Sequence, residues 1–377
     1  MTFAFRRLPL LVLSCLGLAL ATACAANPAR LPVVDPGTDP GQTQTVFVAT
    51  TRAPVADPML RFGAGRSSEL AFARAEVWVP HNREPGAIEP PGRTPDPGRE
   101  FALADWELLP GQAVFSEQLD ESLNAVAFPE RDVFLFVHGF NTPFSDGLYL
   151  NAQILNDFGI LGTAVHYSWP SAGRIPAYLY DRDSAQFARD GLAETLTLLA
   201  ESETTSITIL AHSMGSLVTM EALRQLSLSG RHDVLERIDP VILASPDIDL
   251  DLFRSQLDAI DPPPAHLAVF VSRRDRVLLL SDQLRGGQRT QLGMGAQRDI
   301  LTGLGVTVVD LSDIRDGGFT HHRTFASSPT LMRLAASGML NAALMGEAGK
   351  PRASGIGTLS DLAASIIYLP ARALGER

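Results

Sequence analysis

The feature that most constrains the fold is an alternation of apolar runs and amphipathic stretches that begins at Asp132. Near-continuous apolar strands that alternate with amphipathic helices are typical of a parallel sheet covered on both faces. We therefore predict an α/β fold with a mostly parallel central sheet and helices on both faces. The predicted strands span residues 132–137, 163–168, 206–210, 240–244, 266–272 and 304–311, and the predicted helices span 145–157, 181–202, 215–228, 248–260 and 328–340.

Outside this alternating region, the sequence predicts other kinds of structure. Upstream, the β-branched and aromatic residues of 45–50 and 74–79 predict two strands, while 58–68 and the Pro/Gly-rich 80–99 read as loops. Residues 24–44 are rich in Pro, Gly, Asp and Thr and predict a tether. Residues 341–377 read as a linker and a C-terminal helical tail, whose apolar part is 359–374. The folded domain is therefore expected over 45–340.

The first 23 residues predict an export signal. Arg6 and Arg7 precede an apolar run, residues 8–21, which is too short for a comfortable membrane span and leads into small residues. Cys24 follows at once and resembles the lipid-attachment site of a bacterial lipoprotein; the alternative is ordinary signal-peptidase cleavage with Cys24 incidental. We expect an exported protein, either a lipoprotein anchored through Cys24 in the periplasm or outer membrane, or a secreted protein.

Charge argues against one class of partner. The chain carries a formal net charge of -11 and has no run of Lys and Arg. Because binding to nucleic acid needs clustered positive charge to follow the phosphates, we expect no nucleic-acid partner. The sequence also contains no phosphate-binding loop and no dinucleotide fingerprint, so no organic cofactor is expected. It does not indicate an oligomeric state.

Ser213 lies between the predicted strand 206–210 and a predicted helix that begins near Ser216. A serine on such a strand-to-helix turn is held in a strained backbone that exposes its hydroxyl at the carboxyl end of the sheet. Small residues are needed two positions on either side, because the strand and helix backbones pass close by, and Ala211 and Gly215 meet this need. We predict Ser213 as a catalytic nucleophile; the alternative is a small-residue turn without chemistry.

The loop that follows the predicted strand 132–137 predicts part of an oxyanion hole. Its sequence is His138-Gly139-Phe140-Asn141. Gly139 lets the backbone approach a substrate, and the peptide N–H of Phe140 is the expected donor beside that of Met214. His138 precedes the serine, and we interpret it as a brace for the loop.

The general base is expected late in the chain, because the order in this architecture is Ser, acid, His. His321 and His322 lie in a glycine-containing loop after the last predicted strand, whereas His232 lies in a polar connection and His266 opens a strand. The adjacent pair indicates that the base lies in this loop, but it does not decide which of the two histidines is the base. No third ligand at a suitable spacing accompanies the pair, so we expect no metal site.

Two loops offer the acid of the triad. Asp275 follows the strand predicted over 266–272, while Asp247 and Asp249 follow the strand predicted over 240–244. The acid orients the imidazole and stabilises its charged form. Asp275 is favoured because the acid more commonly follows the penultimate strand of the sheet. Asp247 could instead cap the next helix.

These segments together resemble a bacterial α/β-hydrolase family of esterase/lipase-like proteins, most of unknown function. The resemblance covers residues 45–340 and is carried by VFVATTRAP, VHGFNTPF, YSWPSAGR, ILAHSMGSLV, ASPDIDLDLF, VSRRDRVLLLS and HHRTFASSP. It implies the α/β-hydrolase fold, with Ser213 as nucleophile and Asp275 as acid. When the family pattern is aligned on Phe325–Pro329, the resemblance implies that His322 is the base. Arg323-Thr324 departs from that pattern, so His321 remains an alternative base.

The predicted activity is cleavage of carboxylic esters through an acyl-enzyme. One alternative is an acyltransferase that uses the same triad, and another is a non-catalytic envelope binding protein that retains a hydrolase fold. Trp169 and Tyr178 follow the strand predicted over 163–168 and are expected either to line an acyl pocket or simply to pack. The expected partner is an acyl ester.

Overall fold

Ten strands form one sheet in the computed structural model, which describes residues 28–128, 130–284, 286–287, 291–295, 297–345 and 367–368. The strands are β1 (Gln42–Pro54), β2 (Phe62–Val79), β3 (Ala102–Leu109), β4 (Asp132–Val137), β5 (Thr163–Ser168), β6 (Ser206–His212), β7 (Ile238–Ala244), β8 (Leu267–Val271), β9 (Thr307–Asp310) and β10 (Ile367–Tyr368). Their order across the sheet is β10-β9-β8-β7-β6-β4-β5-β1-β2-β3.

The strands from β9 to β1 are all parallel, and antiparallel strands extend the sheet at both edges. In β4, every residue after Asp132 is buried, as expected for a strand covered on both faces. The predicted mostly parallel sheet is therefore confirmed. Because parallel strands end at the same edge, the loops after β4, β5, β6, β7, β8 and β9 meet there.

Helices cover both faces of the sheet, as predicted. They are α1 (Gln112–Asn124), α2 (Phe144–Phe158), α3 (Tyr178–Ala200), α4 (Met214–Leu228), α5 (His232–Leu235), α6 (Leu250–Asp258), α7 (Arg276–Leu284), α8 (Arg298–Gly303), α9 (Thr324–Ser327), α10 (Pro329–Ala336) and α11 (Met339–Leu344). Apolar residues of α1, α3, α4, α5, α6 and α8 pack into one core cluster. Those of α2, α9, α10 and α11 pack into a second cluster against the other face.

The structure corrects several predicted boundaries. Residues 62–68, expected as loop, form the first part of β2, which pairs with β1 in a long antiparallel hairpin. Around residues 65–69 this part of β2 is mostly exposed and polar. Such a segment lacks the alternation of apolar and polar residues from which a strand is predicted. The helix expected over 328–340 is divided at Gly338, whose φ of 75° ends a helix. Its predicted start is correct, since Ser328 accepts a hydrogen bond from the N–H of Leu331.

The described part of the predicted tether is packed against the folded body. Leu31 is fully buried, and its N–H donates to the carbonyl of Met59 at 2.8 Å. The N–H of Val34 donates to the carbonyl of Leu103 at 2.8 Å, and the Tyr149 hydroxyl donates to the carbonyl of Arg30 at 2.7 Å. The segment therefore packs on the body, because backbone hydrogen bonds and one apolar side chain hold it there.

Two predictions fall wholly or largely outside the described residues. The export signal, residues 1–23, and the lipid-attachment residue Cys24 lie outside them. Of the apolar tail 359–374, only Ile367 and Tyr368 are described, and they form β10 beside β9 rather than a helix. No helix in the described ranges is long and apolar enough to cross a membrane.

Candidate active site

Ser213 occupies a strained turn between β6 and α4. Its φ is 53° and its ψ is -120°, a backbone conformation that non-glycine residues rarely adopt. The surrounding backbone holds this conformation, since the N–H of Ser213 donates to the carbonyl of Ala244 at 2.9 Å. A Cβ atom on Gly215 would lie 2.6 Å from the carbonyl oxygen of Val137, so only glycine allows this approach. The turn has the geometry of a nucleophile elbow.

The loop of residues 138–142, the oxyanion loop below, lies directly against this turn. A Cβ on Gly139 would be 2.9 Å from the Cβ of Ser213 and 2.7 Å from Nδ1 of His212. Phe140 lines the same cavity as Ser213. Met214 is the first residue of α4, so its N–H has no partner within the helix. Phe140 therefore borders the space beside Ser213, and the peptide group of Met214 directly follows the serine; their role as oxyanion donors stays a prediction.

His322 is paired with Asp275. Nδ1 of His322 lies 2.8 Å from Oδ2 of Asp275, and both side chains are buried. The other carboxylate oxygen accepts the N–H groups of Val277 and Leu278, each at 3.0 Å, at the start of α7. Since a carboxylate only accepts, Nδ1–H of His322 is the donor in this bond. A hydrogen bond of this kind orients the general base of a catalytic triad.

His212 connects the serine turn to the loop that carries the base. Nε2 of His212 lies 3.2 Å from the carbonyl oxygen of His322, and the two imidazole rings are 4.6 Å apart between centroids. Burial, together with His322 and Arg323, holds the pKa of His212 well below its usual range, so the ring is neutral. The sequence reasoning missed this residue because it sought the base only after Ser213. The signal was present, since His212 immediately precedes the serine.

The alternative site residues make other contacts. His321 has a φ of 55°, and the hydrogen bond to Asp275 is made by His322. Asp249 caps α6 by accepting the N–H groups of two residues in its first turn. Asp247 is buried, and its oxygens accept the hydroxyls of Tyr178 and Ser281 at 2.8 and 2.7 Å. The geometry thus favours Asp275 and His322 over these alternatives.

A cavity opens beside Ser213. Its enclosed volume is small, about 20 Å³. Its lining is mainly apolar, with a polar group contributed by Asp247; the lining residues are Phe140, Ile175, Tyr178, Ser213, Asp247, Val277, Leu278, Leu280 and Ser281. Tyr178, one of the two residues expected at a pocket, is among them.

Trp169, expected either to line a pocket or to pack, packs in the core. Its side chain is fully buried and stacks on His138 with ring centroids 4.9 Å apart. The indole Nε1–H donates to the carbonyl of His138 at 2.6 Å. Trp169 therefore braces the oxyanion loop from inside the core and cannot contact a ligand. His138 has the bracing position that we inferred for it, with Nδ1 2.9 Å from the carbonyl oxygen of Gly139.

The arrangement fits acyl transfer at a serine. It brings a strained serine, an imidazole oriented by a buried carboxylate, and two backbone peptide groups to one edge of the sheet. In the described ranges, no group of three or more His, Cys, Asp or Glu side chains is arranged to hold a metal ion.

Comparison with known proteins places this fold. A family model described as "Alpha/beta hydrolase of unknown function (DUF900)" matches residues 113–338. No curated protein matches the chain. Among solved structures, lipase B of Aspergillus fumigatus aligns with a TM-score of 0.34 and 15% identity, over 63% of this chain and 61% of that chain. The chain thus spans less than two thirds of the length of that lipase.

Proposed function

The chain belongs to the DUF900 family of α/β hydrolases, and on this premise we propose that it is a serine esterase that cleaves carboxylic esters. One observation carries the proposal. The hydrogen bond between His322 and Asp275 orients an imidazole whose ring contacts His212, the neighbour of Ser213. A protein that uses this fold only to bind a partner needs no such pair beside a strained serine.

The reaction would begin when Nε2 of His322 takes the proton of the Ser213 hydroxyl as the serine oxygen attacks the ester carbonyl carbon. The tetrahedral oxyanion would accept hydrogen bonds from the N–H groups of Phe140 and Met214. His322 would then give the proton to the leaving alkoxide, and the alcohol departs. Water, deprotonated by the same histidine, would cleave the acyl-enzyme and release the carboxylic acid. Asp275 would stay ionised and stabilise the imidazolium.

The two adjacent histidines provide a test of this assignment. We expect His322→Ala to lower kcat for a chromogenic butyrate ester on the order of 10³-fold or more and to slow labelling by a fluorophosphonate probe, because the serine loses its base. His321→Ala, the matched control, should keep kcat within a few-fold. Equal and mild losses in both variants would contradict the role of His322. A wild-type protein that the probe does not label at Ser213 would contradict the esterase itself.

The cavity supports a preference for short acyl groups. Its walls are apolar at Phe140, Val277 and Leu278, so they can pack against a short acyl group. Asp247, Tyr178 and Ser281 form a hydrogen-bonded group that adds polar atoms to this lining. Each buried CH2 is worth about 0.8 kcal/mol, roughly fourfold in binding, until the space is filled. We propose that this gain ends after a few carbons.

A series of p-nitrophenyl esters tests this preference. We expect kcat/KM to rise by roughly tenfold from acetate to butyrate, in line with two buried CH2 groups, and to fall again towards dodecanoate. Leu278→Ala, which widens the cavity, should move the optimum to a longer chain. Leu301→Ala removes a buried leucine that does not line the cavity and should leave the optimum in place. A rate that climbs steadily to dodecanoate would instead indicate an open acyl channel.

A further inference from the structure

Arg52, near the end of β1, lies inside the protein next to the oxyanion loop. Its side chain is 1% exposed. Nε donates to the hydroxyl of Ser168 at 2.9 Å, and Nη1 donates to the carbonyls of Gly63 and Ser171, each at 3.0 Å. Nη2 donates to the carbonyl of Thr142 at 2.7 Å and lies 3.3 Å from Nε2 of His138. One guanidinium thus joins β2, the loop after β5 and the oxyanion loop.

Arg52 contacts the oxyanion loop at both ends. At its start, burial and the charge of Arg52 hold the pKa of His138 well below its usual range, so the ring is neutral and carries one proton. Nδ1 of His138 lies 2.9 Å from the carbonyl oxygen of Gly139, and Nε2 lies 3.0 Å from the carbonyl oxygen of Trp169 and 3.3 Å from Nη2 of Arg52. At the other end, the carbonyl of Thr142 accepts from Arg52. The guanidinium therefore holds the last residue of the loop by a hydrogen bond and lies against the side chain of the first.

Asp181 holds the middle of the loop from α3. Its Oδ2 accepts the N–H of Asn141 at 3.2 Å and the hydroxyl of Ser171 at 2.6 Å. The same serine oxygen accepts the N–H of Thr142 at 3.0 Å. Asn141 has a φ of 54°, a conformation that needs such support. Two of the loop's N–H groups are therefore used within the protein, whereas that of Phe140 makes no hydrogen bond within the described ranges.

The chemistry of the position suits arginine and no other residue. A guanidinium presents five N–H donors in a rigid plane, whereas a lysine ammonium presents three from a single point. Burial lowers the pKa of Arg52 to about 9, so the group still carries its proton and all its donors at neutral pH. Lysine at this position could reach one or two of the acceptors that Arg52 joins.

We propose that Arg52 is a positioning residue for ester cleavage, and that it holds the oxyanion loop so that the N–H of Phe140 faces the developing oxyanion. The inference rests on the proposed esterase function. It assigns part of the catalytic geometry to β1, a strand that precedes the family-matched segment 113–338. Oxyanion donors act only if they are placed before the reaction, so a displaced loop lowers the rate of the chemical step more than substrate binding.

Arg52→Lys tests the proposal on the full chain, with kcat and KM measured for a butyrate ester below the melting temperature. We expect kcat to fall on the order of 10²-fold, as for loss of one oxyanion donor, with KM within about threefold. Affinity for a boronic acid, which forms a tetrahedral adduct with serine, should fall by a similar factor. Arg83→Lys is the matched control, because Arg83 is also buried but pairs with Asp157 away from the site. It should lose stability and keep kcat.

Ser171→Ala provides a second variant should Arg52→Lys not fold. It removes the acceptor of the Thr142 N–H and should lower kcat by roughly tenfold with KM unchanged. The inference is wrong if folded Arg52→Lys keeps kcat within threefold of the wild type, or if Ser171→Ala keeps it fully. A wild type that neither hydrolyses esters nor reacts with a fluorophosphonate would instead overturn the proposed function, so the two failures are distinguishable.

Discussion

Replacing Ser213 with alanine is expected to lower ester turnover by a factor on the order of 10⁴–10⁶, because no other group can form the acyl-enzyme at this turn. The fold should persist. The backbone bonds of residue 213, including the 2.9 Å bond to the carbonyl of Ala244, do not involve its side chain. The change should be measured as kcat for a butyrate ester, with circular dichroism to confirm the fold.

Ser216→Ala is the matched control for this substitution. Ser216 is a buried serine on the same turn, and its hydroxyl donates to the carbonyl of Ala211 at 3.1 Å. Its loss should cost about 1 kcal/mol of stability and leave kcat within a few-fold of the wild type. A Ser213→Ala variant that keeps a tenth or more of the wild-type activity would show that another residue is the nucleophile.

The second large effect is a steep loss of stability in acid. His138, His166 and His212 are buried, and burial is the first cause that lowers the pKa of each, to about 3 for His166. In the unfolded chain each pKa returns to about 6.5. Below that pH the unfolded state binds protons that the folded state does not bind, so the free energy of unfolding falls as pH falls.

The free energy of unfolding is expected to depend steeply on pH, because the three buried histidines contribute together. Each contributes about 1.4 kcal/mol per pH unit once its unfolded form is protonated, and three contribute about 4 kcal/mol per pH unit. Asp181 opposes this, since burial raises its pKa and its protonation in acid favours the folded state. The free energy of unfolding should therefore begin to fall near pH 6.5 and fall most steeply near pH 5. Urea midpoints measured between pH 7.5 and 4.5 will show it.

His166→Leu isolates one of these contributions. His166 stacks on Phe136 at 5.6 Å between ring centroids, in a setting where leucine can pack. The variant should reduce the slope by about a third, close to 1.4 kcal/mol per pH unit. His232→Gln, at an exposed position, should leave the slope as it is. Identical slopes for His166→Leu and the wild type would mean that buried histidines do not determine acid stability.

The parallel part of the fold could be predicted from the sequence because each buried strand is a short apolar run with its own signal. The antiparallel strands β2 and β3 and the helix α1 could not be predicted as reliably. The outer half of β2 is polar, and β3 places charged residues such as Asp105 and Glu107 on its exposed side. Such segments are held by pairing with a neighbour that lies far away in the sequence.

The same distinction applies to the candidate site. Ser213 and the oxyanion loop are recognisable because the required residues are adjacent in the chain. The pairing of Asp275 with His322 spans 47 residues and could be proposed only as one of several combinations. Arg52 could not be found, because its contacts with Ser168 and Thr142 span 116 and 90 residues, and nothing in its neighbours indicates burial. The role of Trp169 stayed open between pocket and core, because an aromatic residue near a strand end fits either equally well.

The position of β1 inside the sheet has a consequence for how the chain is made. Val46 pairs with Ala164, so β1 gains its parallel neighbour only after more than a hundred further residues have been synthesised. Until then the hairpin of β1 and β2 presents an unpaired apolar edge, which can recruit another nascent chain. The part that carries Arg52 therefore folds through contacts between segments far apart in the sequence, and such contacts slow folding.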